Sequence, residues 1–148
     1  MEMENKYLLK QTYEFSYYLA QILLMGLMTP LYAVLFALAE IKSAAVVWLV
    51  ILPVFIVGTV VYYGYRIYSL FKLPELYVRY DAKVKAIHRS YGRRWYLTLS
   101  ITKEDGTVFE ADTSALFSVF KAKLVLDGKI SVLYDPVDGR LAVIKTDI

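Results

Sequence analysis

Basic residues alternate with aromatic rings along one segment of this 148-residue chain. Six basic residues stand against a single acidic one, Asp81, between Arg79 and Arg94. The basic residues are Arg79, Lys83, Lys85, Arg89, Arg93 and Arg94, and the aromatic residues among or beside them are Tyr80, Tyr91, Trp95 and Tyr96. Arginine can bind a phosphate through two parallel hydrogen bonds, and aromatic faces stack on nucleobases. The segment therefore favours a site for an anionic ligand such as a nucleotide.

The same positive charge has a simpler interpretation. Basic residues beside a membrane are attracted to anionic lipid by about 1 kcal/mol each, and a basic strand face can also simply be solvated. Residue spacing does not separate these alternatives from an anion site, so all of them stay open at this point.

Catalytic and metal chemistry find little support in the residue types. The chain has no cysteine, which excludes a disulfide framework, a thiol nucleophile and a cysteine-based metal site. Its single histidine, His88, is expected to point into the core or to lie at a strand end, in a structural role. Glu110 and Asp112 favour a solvated strand face over a divalent cation site. No nucleophile, metalloprotease or phosphate-loop motif occurs, so we expect no enzyme and no cofactor.

The first half of the chain is too apolar for a soluble domain. Hydrophobic residues make up 58% of the sequence, and the mean hydropathy is +0.45. Phe15–Ala39 and Ser43–Tyr65 are uncharged runs of 25 and 23 residues. A helix of about 20 apolar residues crosses the hydrocarbon core of a bilayer. The pattern predicts two transmembrane helices, 15–39 and 43–65, that form a hairpin around a loop of a few residues.

Lysine and arginine set the expected orientation of this hairpin. The 20 residues from Arg66 to Lys85 hold five of them, against one in the loop. Because basic residues stay on the cytoplasmic side, both termini are expected in the cytoplasm. Tyrosines flank the runs at the expected interface, at Tyr13, Tyr17, Tyr18, Tyr62, Tyr63, Tyr65 and Tyr68. A cleaved signal peptide is the alternative for the first run, but its apolar region would be only about 7–15 residues long.

Beyond Leu73-Pro74 the hydrophobic period changes from helical to alternating, which is typical of strands. Alternation predicts five strands, at Val78–Ala86, Trp95–Thr102, Val108–Thr113, Lys129–Tyr134 and Leu141–Ile144. A three-residue loop with left-handed Gly106 would pair Ile101 with Phe109. Ser114–Leu126 favours a short helix, with a strand as the open alternative.

These elements divide the chain into three predicted parts. Residues 1–14 form a cytosolic tail, 15–72 a transmembrane hairpin, and 73–148 a cytosolic, mostly-β domain. Five short strands with one helix predict a rolled sheet or partial barrel of the OB or SH3 kind.

The stretch from Gly128 to Ile144 resembles the closing hairpin of a large, poorly characterised family of bacterial membrane proteins. That family joins one or two membrane helices to a small β domain ending in a valine-rich strand, Tyr-Asp-Pro, a turn and an apolar strand. Here the motif is Tyr134, Asp135 and Pro136, and Gly139 stands where the family usually has a second proline. The resemblance implies this architecture only. From the two predicted helices we expect a multi-pass protein of the bacterial inner membrane.

The plan of two helices and a cytosolic β domain also resembles that of membrane effectors in bacterial antiphage signalling. In those systems a cyclic oligonucleotide binds the β domain, and clustered helices then disrupt the membrane. The resemblance implies a homo-oligomer, with no role for long nucleic acid. It implies phosphate contacts from Lys83, Lys85, Arg89, Arg93 and Arg94, with stacking by Tyr91 or Tyr96.

A function of a different class is the alternative to a membrane effector. The protein can be read as a non-enzymatic immunity or accessory protein that docks a protein partner on its β domain, since exposed strand edges suit partner addition. A stable partner with no nucleotide affinity would favour that alternative.

Overall fold

A computed structural model describes residues 2–38, 43–118 and 128–145, and for residues 43–47 it describes the backbone alone. The helices are α1 (Glu2–Lys10), α2 (Tyr13–Leu38) and α3 (Ser43–Phe71), followed by a 3-10 helix at Pro74–Leu76. The strands are β1 (Val78–Arg89), β2 (Trp95–Thr102), β3 (Val108–Asp112), β4 (Lys129–Asp135) and β5 (Arg140–Val143). Two compact units result: Met1–Ser16 with Leu70–Ile148, and Tyr17–Ser69.

The unit Tyr17–Ser69 is an antiparallel pair of helices. The Tyr17 hydroxyl lies 3.4 Å from that of Tyr63, and the Tyr32 hydroxyl donates to the Leu49 carbonyl at 2.6 Å. These contacts confirm the predicted antiparallel pairing of the two helices. Tyr13–Leu38 and Trp48–Phe71 are long and apolar enough to cross a membrane.

The third helix extends further than the charge pattern predicts. It ends at Phe71 rather than Tyr65, because Arg66 is tolerated within it. The Arg66 guanidinium donates to the Tyr18 hydroxyl at 2.9 Å and lies over the Tyr18 ring. The uncharged run ends at Tyr65, but the helical period continues to Leu73-Pro74, and the helix ends just before that pair because proline cannot continue the hydrogen-bond ladder.

The β domain is a five-stranded antiparallel sheet in the order β3-β2-β1-β4-β5, curled into a half-barrel. All five predicted strands are present, with bounds shifted by a few residues at most. Ile101 pairs with Phe109 as predicted. Gly106 has a φ of +81°, and the Lys103 amide donates to the Thr107 carbonyl to close the three-residue loop.

The concave face of the sheet holds the main core. Its buried members are Ala82, Val84, Leu97, Leu99, Ile101, Phe117, Ile130, Val132 and Val143. The members from β1, β2 and β4 are the inward positions of the predicted alternation, because side chains two apart in a strand share a face. Phe117 joins them from outside the predicted strands. Burial of this apolar area supplies most of the free energy that stabilises the domain.

A β-bulge interrupts the alternation of β1. The register against β2 shifts between Val84 and Ala86, so Lys85 is an extra residue. Ile87 then takes the core side opposite Leu97, and His88 turns outward. The expectation that His88 points into the core is therefore wrong, whereas its place near the strand end agrees with the alternative.

The segment from Ser114 begins as an extended chain rather than a helix. The Trp95 amide donates to the Phe117 carbonyl at 2.9 Å, and the Phe117 amide donates back at 3.1 Å. Thr113 does not cap a helix, because its hydroxyl accepts the Leu97 amide. The helix prediction is wrong for Ser114 to Ser118, and its remainder, through Leu126, lies outside the described residues.

The N-terminal segment, predicted as a tail, contains helix α1, which packs on the β domain. The buried Asn5 side chain donates to the carbonyl oxygens of Pro74 and Tyr77, both at 2.9 Å. Leu9 is fully buried in a second cluster with Leu70, Tyr77, Leu133, Ala142 and Ile144. Residues 2–16 are therefore part of the folded β unit.

The Tyr-Asp-Pro motif forms the turn between β4 and β5. The buried Asp135 carboxylate accepts the amides of Val137 and Asp138, at 2.9 and 3.3 Å. The backbone carbonyl of Asp135 accepts the Gly139 amide at 2.8 Å, and Gly139 has a φ of +66°. A left-handed residue is required there, which explains a glycine at this position.

Replacement of Asp135 by alanine is expected to destabilise the β domain by about 1–2 kcal/mol, because two turn amides lose their acceptor. Asp135→Asn retains an oxygen acceptor and is expected to cost less. Thermal unfolding of both variants, followed by tryptophan fluorescence, measures the difference. Equal midpoints for the alanine variant and the unmodified protein would contradict this account of the turn.

Candidate anion-binding site

Most of the predicted ligand residues meet at the turn between β1 and β2. Arg89 pairs with Trp95 at the strand ends, and the Ser90 amide donates to the Arg94 carbonyl at 2.9 Å. Gly92, with a φ of +77°, allows the chain to reverse in the three residues between them. We call this turn, residues 89–96, the hairpin tip. It brings together Arg89, Tyr91, Arg93, Arg94 and Tyr96.

The hairpin tip carries an open depression of about 430 Å³. Its lining residues are Arg89, Ser90, Tyr91 and Tyr96. The Tyr91 side chain is 100% exposed, so its ring is available to a ligand without any rearrangement. Its exposure also means that the site offers a rim rather than an enclosed cavity.

The second ring of the tip is held in place by a stacked pair. The rings of His88 and Tyr96 lie 5.0 Å apart with an interplanar angle of 22°. This pairing depends on the bulge at Lys85, because only the shifted register puts His88 on the outer face opposite Tyr96. Tyr96 is thus a half-buried ring of restricted orientation, whereas Tyr91 is solvated.

The charge at the tip is strongly positive. Arg89, Arg93 and Arg94 are all exposed, and no acidic residue lies between residues 89 and 96. Within the described part of the chain, neither Arg89 nor Arg93 takes part in an ion pair. Two guanidinium groups are therefore available for a phosphate, which arginine binds with a fork of parallel hydrogen bonds.

The two predicted lysines lie elsewhere. Lys83 and Lys85 are on the outer face of β1, and Lys85 forms an ion pair with Glu110 of β3. Lys85 lines a separate depression of about 460 Å³ that also contains His88, Glu110 and Asp112. The structure thus separates the seven predicted residues into a basic tip of five and a mixed-charge face that holds the other two.

The acidic residues of β3 lie on this mixed-charge face. Glu110 pairs with Lys85, and Asp112 accepts the Thr98 hydroxyl at 2.6 Å. Among the residues that the structure describes, no group of three or more His, Asp or Glu side chains could hold a metal ion. Both carboxylates lie on the exposed side of β3.

Sequence reasoning missed the contacts that join the helix ends to the β domain. Glu14, in the first turn of α2, is buried, and its Oε2 accepts the Val143 amide of β5 at 2.9 Å. The rings of Phe15 and Phe71 meet edge to face at 5.5 Å. Leu70, in the last turn of α3, is buried in the same unit. We call the contacts of Glu14, Phe15, Leu70 and Phe71 the helix junction. The sequence does carry a signal for the start of α2, because Thr12 has the N-cap residue type and its hydroxyl accepts the Phe15 amide at 3.3 Å.

Burial also affects a tyrosine beside this junction. It raises the pKa of Tyr77 to about 12 because the ionised form would lose its hydration. Tyr77 therefore remains neutral at physiological pH.

Comparison of the chain with protein-family models, with curated proteins and with solved structures finds no match.

Proposed function

We propose that this protein is a ligand-gated membrane effector whose hairpin tip binds a phosphate-bearing anion. The ligand class we infer is a cyclic oligonucleotide, and the output is disruption of the bacterial inner membrane by oligomeric helices in antiphage defence. Both termini face the cytoplasm in this proposal. One observation carries it: Arg89, Arg93 and Arg94 surround the same tight turn as two tyrosine rings.

The chemistry of the tip fits such a ligand. Guanidinium groups bind phosphate oxygens, and tyrosine faces accept a nucleobase without strong sequence preference. Tyr96 is pre-oriented by His88, which lowers the entropy lost when a base stacks on it. Lys83 and Lys85 contribute at most a long-range attraction, because Lys85 is already paired with Glu110.

The helix junction supports a gating role. Glu14 and Phe15 of α2, and Leu70 and Phe71 of α3, are all held within the β unit. A change in that unit therefore acts on the first turn of one helix and the last turn of the other. Two helices cannot enclose a pore, so the output requires several copies of the chain.

Binding by the full chain in detergent tests the proposal. The full chain is used because residues 2–16 belong to the same folded unit as the β domain, and a fragment that starts at Leu73 would lack them. Cyclic di-, tri- and tetranucleotides are each added while unfolding is followed. A ligand at 100 times its dissociation constant adds about 2.7 kcal/mol, which corresponds to roughly 10–20 °C for a domain of this size.

The Arg93→Ala, Arg94→Ala double variant is expected to weaken binding by at least about a hundredfold. Charge-assisted hydrogen bonds are worth about 1.5–3 kcal/mol each, and 1.4 kcal/mol is a factor of ten. Lys83→Ala with Lys85→Ala is the matched control, because it also removes two positive charges from the same hairpin. An equal loss in both double variants would indicate general electrostatic attraction rather than a site at the tip.

No shift with any cyclic nucleotide, in a protein shown to be folded, would reject the ligand class. Co-purification of a stable protein partner under those conditions would favour the immunity or accessory function instead. In that case Tyr91, the fully exposed ring of the tip, is the first residue to test in the docking surface.

A further inference from the structure

One flank of the helix pair formed by α2 and α3 carries a groove of about 420 Å³, which we call the flank groove. Its lining residues are Gln21 and Met25 of α2 and Phe55, Gly58, Thr59, Tyr62 and Tyr63 of α3. A Cβ added at Gly58 would meet no atom within 4 Å. Phe55 and Tyr62, one turn to either side of Gly58, are 60% and 57% exposed. The groove is therefore open at Gly58 and bounded along α3 by two aromatic rings.

A positive charge lies at one end of the flank groove. Phe55, Thr59, Tyr62 and Arg66 follow the i, i+4, i+7, i+11 spacing and so share one stripe of α3. Arg66 is the only charged residue of α3, and it takes part in no ion pair within the described part of the chain. Its guanidinium donates to the Tyr18 hydroxyl, but this neutral partner leaves the charge uncompensated and uses one of five N–H donors.

The polarity of the flank groove falls with distance from Arg66. The hydroxyls of Tyr17 and Tyr63 lie 3.4 Å apart one turn from Arg66. Gln21 follows one turn after Tyr17, and its side-chain amide forms no hydrogen bond to another described residue. The far end of the groove is apolar, with the side chains of Met25 and Phe55. The order is therefore a cation, then hydroxyl and amide groups, then an apolar channel.

The length of this gradient matches one leaflet of a bilayer. Arg66 is eleven residues beyond Phe55, which is roughly 16 Å along a helix that rises about 1.5 Å per residue. Half of the hydrocarbon core is about 15 Å thick. Both helices are long and apolar enough to cross that core. A phospholipid in one leaflet has the same order of groups over the same depth: a phosphate, the glycerol esters and an acyl chain.

We propose that the flank groove binds one anionic phospholipid, with its phosphate paired to Arg66, its ester groups beside Gln21 and an acyl chain over Gly58. The inference rests on the membrane-spanning hairpin of the proposed function, but not on any ligand at the hairpin tip.

Charge favours a lipid over a second copy of the chain as the occupant. A neighbouring helix could fill the apolar end of the flank groove, but it would offer Arg66 no free anion. The only acid of α2 and α3 is Glu14, which already accepts the Val143 amide. An anionic lipid is favoured over phosphatidylethanolamine because the ammonium group of that lipid neutralises its own phosphate.

Native mass spectrometry of the full chain in detergent tests the proposal by counting bound lipids. Phosphatidylglycerol and phosphatidylethanolamine with identical acyl chains are each titrated into the delipidated protein. Gly58→Leu fills the flank groove without a steric conflict, and Arg66→Gln removes its charge. The matched controls are Gly26→Leu, at a helical glycine with open space outside the groove, and Lys72→Gln, which removes a positive charge just after α3.

We expect one phosphatidylglycerol per chain, bound at least about tenfold more tightly than phosphatidylethanolamine. Gly58→Leu and Arg66→Gln should each weaken its binding by at least about tenfold, whereas both controls retain it. Unchanged binding in either groove variant, or equal affinity for the two lipids, would overturn the proposal. A change in the number of protein copies in Gly58→Leu, with no change in bound lipid, would assign the groove to a second copy instead.

A separate measurement keeps the membrane premise apart from the lipid site. The full chain is reconstituted in vesicles and washed at alkaline pH, which removes proteins that are not inserted. Release of the chain would overturn the membrane-spanning hairpin and the lipid site together. Retention of the chain without selective lipid binding would overturn the lipid site alone.

Discussion

Truncation of Leu99 to alanine is expected to lower the free energy of unfolding of the β domain by about 3 kcal/mol. Leu99 is fully buried at the centre of β2, where it pairs with Val84 on one side and Ala111 on the other. Removing a buried leucine side chain costs about 2–5 kcal/mol, because transfer free energy is lost and a cavity remains. Domains of this size have only about 5–15 kcal/mol in total.

Val108→Ala is the control for this truncation. Val108 lies on the neighbouring strand but is 61% exposed, so its loss is expected to change stability by less than about 0.5 kcal/mol. Urea unfolding of both variants, followed by tryptophan fluorescence, measures the two free energies. Similar losses for Leu99 and Val108 would mean that the concave face is not the dry core described above.

Substitution of Asn5 by aspartate is expected to release α1 from the β domain. The change is nearly isosteric, but it replaces two amide donations with a carboxylate that faces the carbonyl oxygens of Pro74 and Tyr77. Two hydrogen bonds are lost and a buried charge has no partner, which costs about 3 kcal/mol. Because 1.4 kcal/mol is a factor of ten, the amides of α1 should exchange with solvent roughly a hundredfold faster.

Glu4→Gln is the matched control, because it exchanges an acid and an amide at an exposed position of the same helix. Hydrogen exchange measured by mass spectrometry resolves α1 from the strands. Unchanged exchange of α1 in Asn5→Asp would show that Leu9, not Asn5, carries the attachment.

The strands and their register could be predicted because a two-residue hydrophobic period leaves little choice of face. Ile101 has to meet Phe109 for both to reach the core, and Gly106 permits the loop that this requires. The bulge at Lys85 could not be predicted. With the extra residue, Val84 and Ile87 both lie on the core side. Strict alternation would instead place Ala86 and His88 on that side, and the sequence fits both patterns almost equally well.

Helix α1 was missed for a different reason. Nine residues make a marginal helix in isolation, and the contacts that stabilise this one come from residues about seventy positions away. The division of the candidate site has the same origin. Lys85 and Glu110 lie on β1 and β3, which flank β2 in the sheet and are far apart in the chain. The local charge pattern could not reveal this ion pair, and it therefore grouped Lys85 with the arginines of the tip.

The contacts of the N-terminal segment also constrain the order in which this protein can assemble. Glu14 bonds to Val143, which is 129 residues later in the chain, and Thr12 bridges to Ile144. This segment therefore leaves the ribosome long before the strand that it binds. Both apolar helices also emerge before β5, so they are available for membrane insertion while the β domain is unfinished. Closure of the segment onto β5 is then a late step, because it cannot occur until β5 has been made.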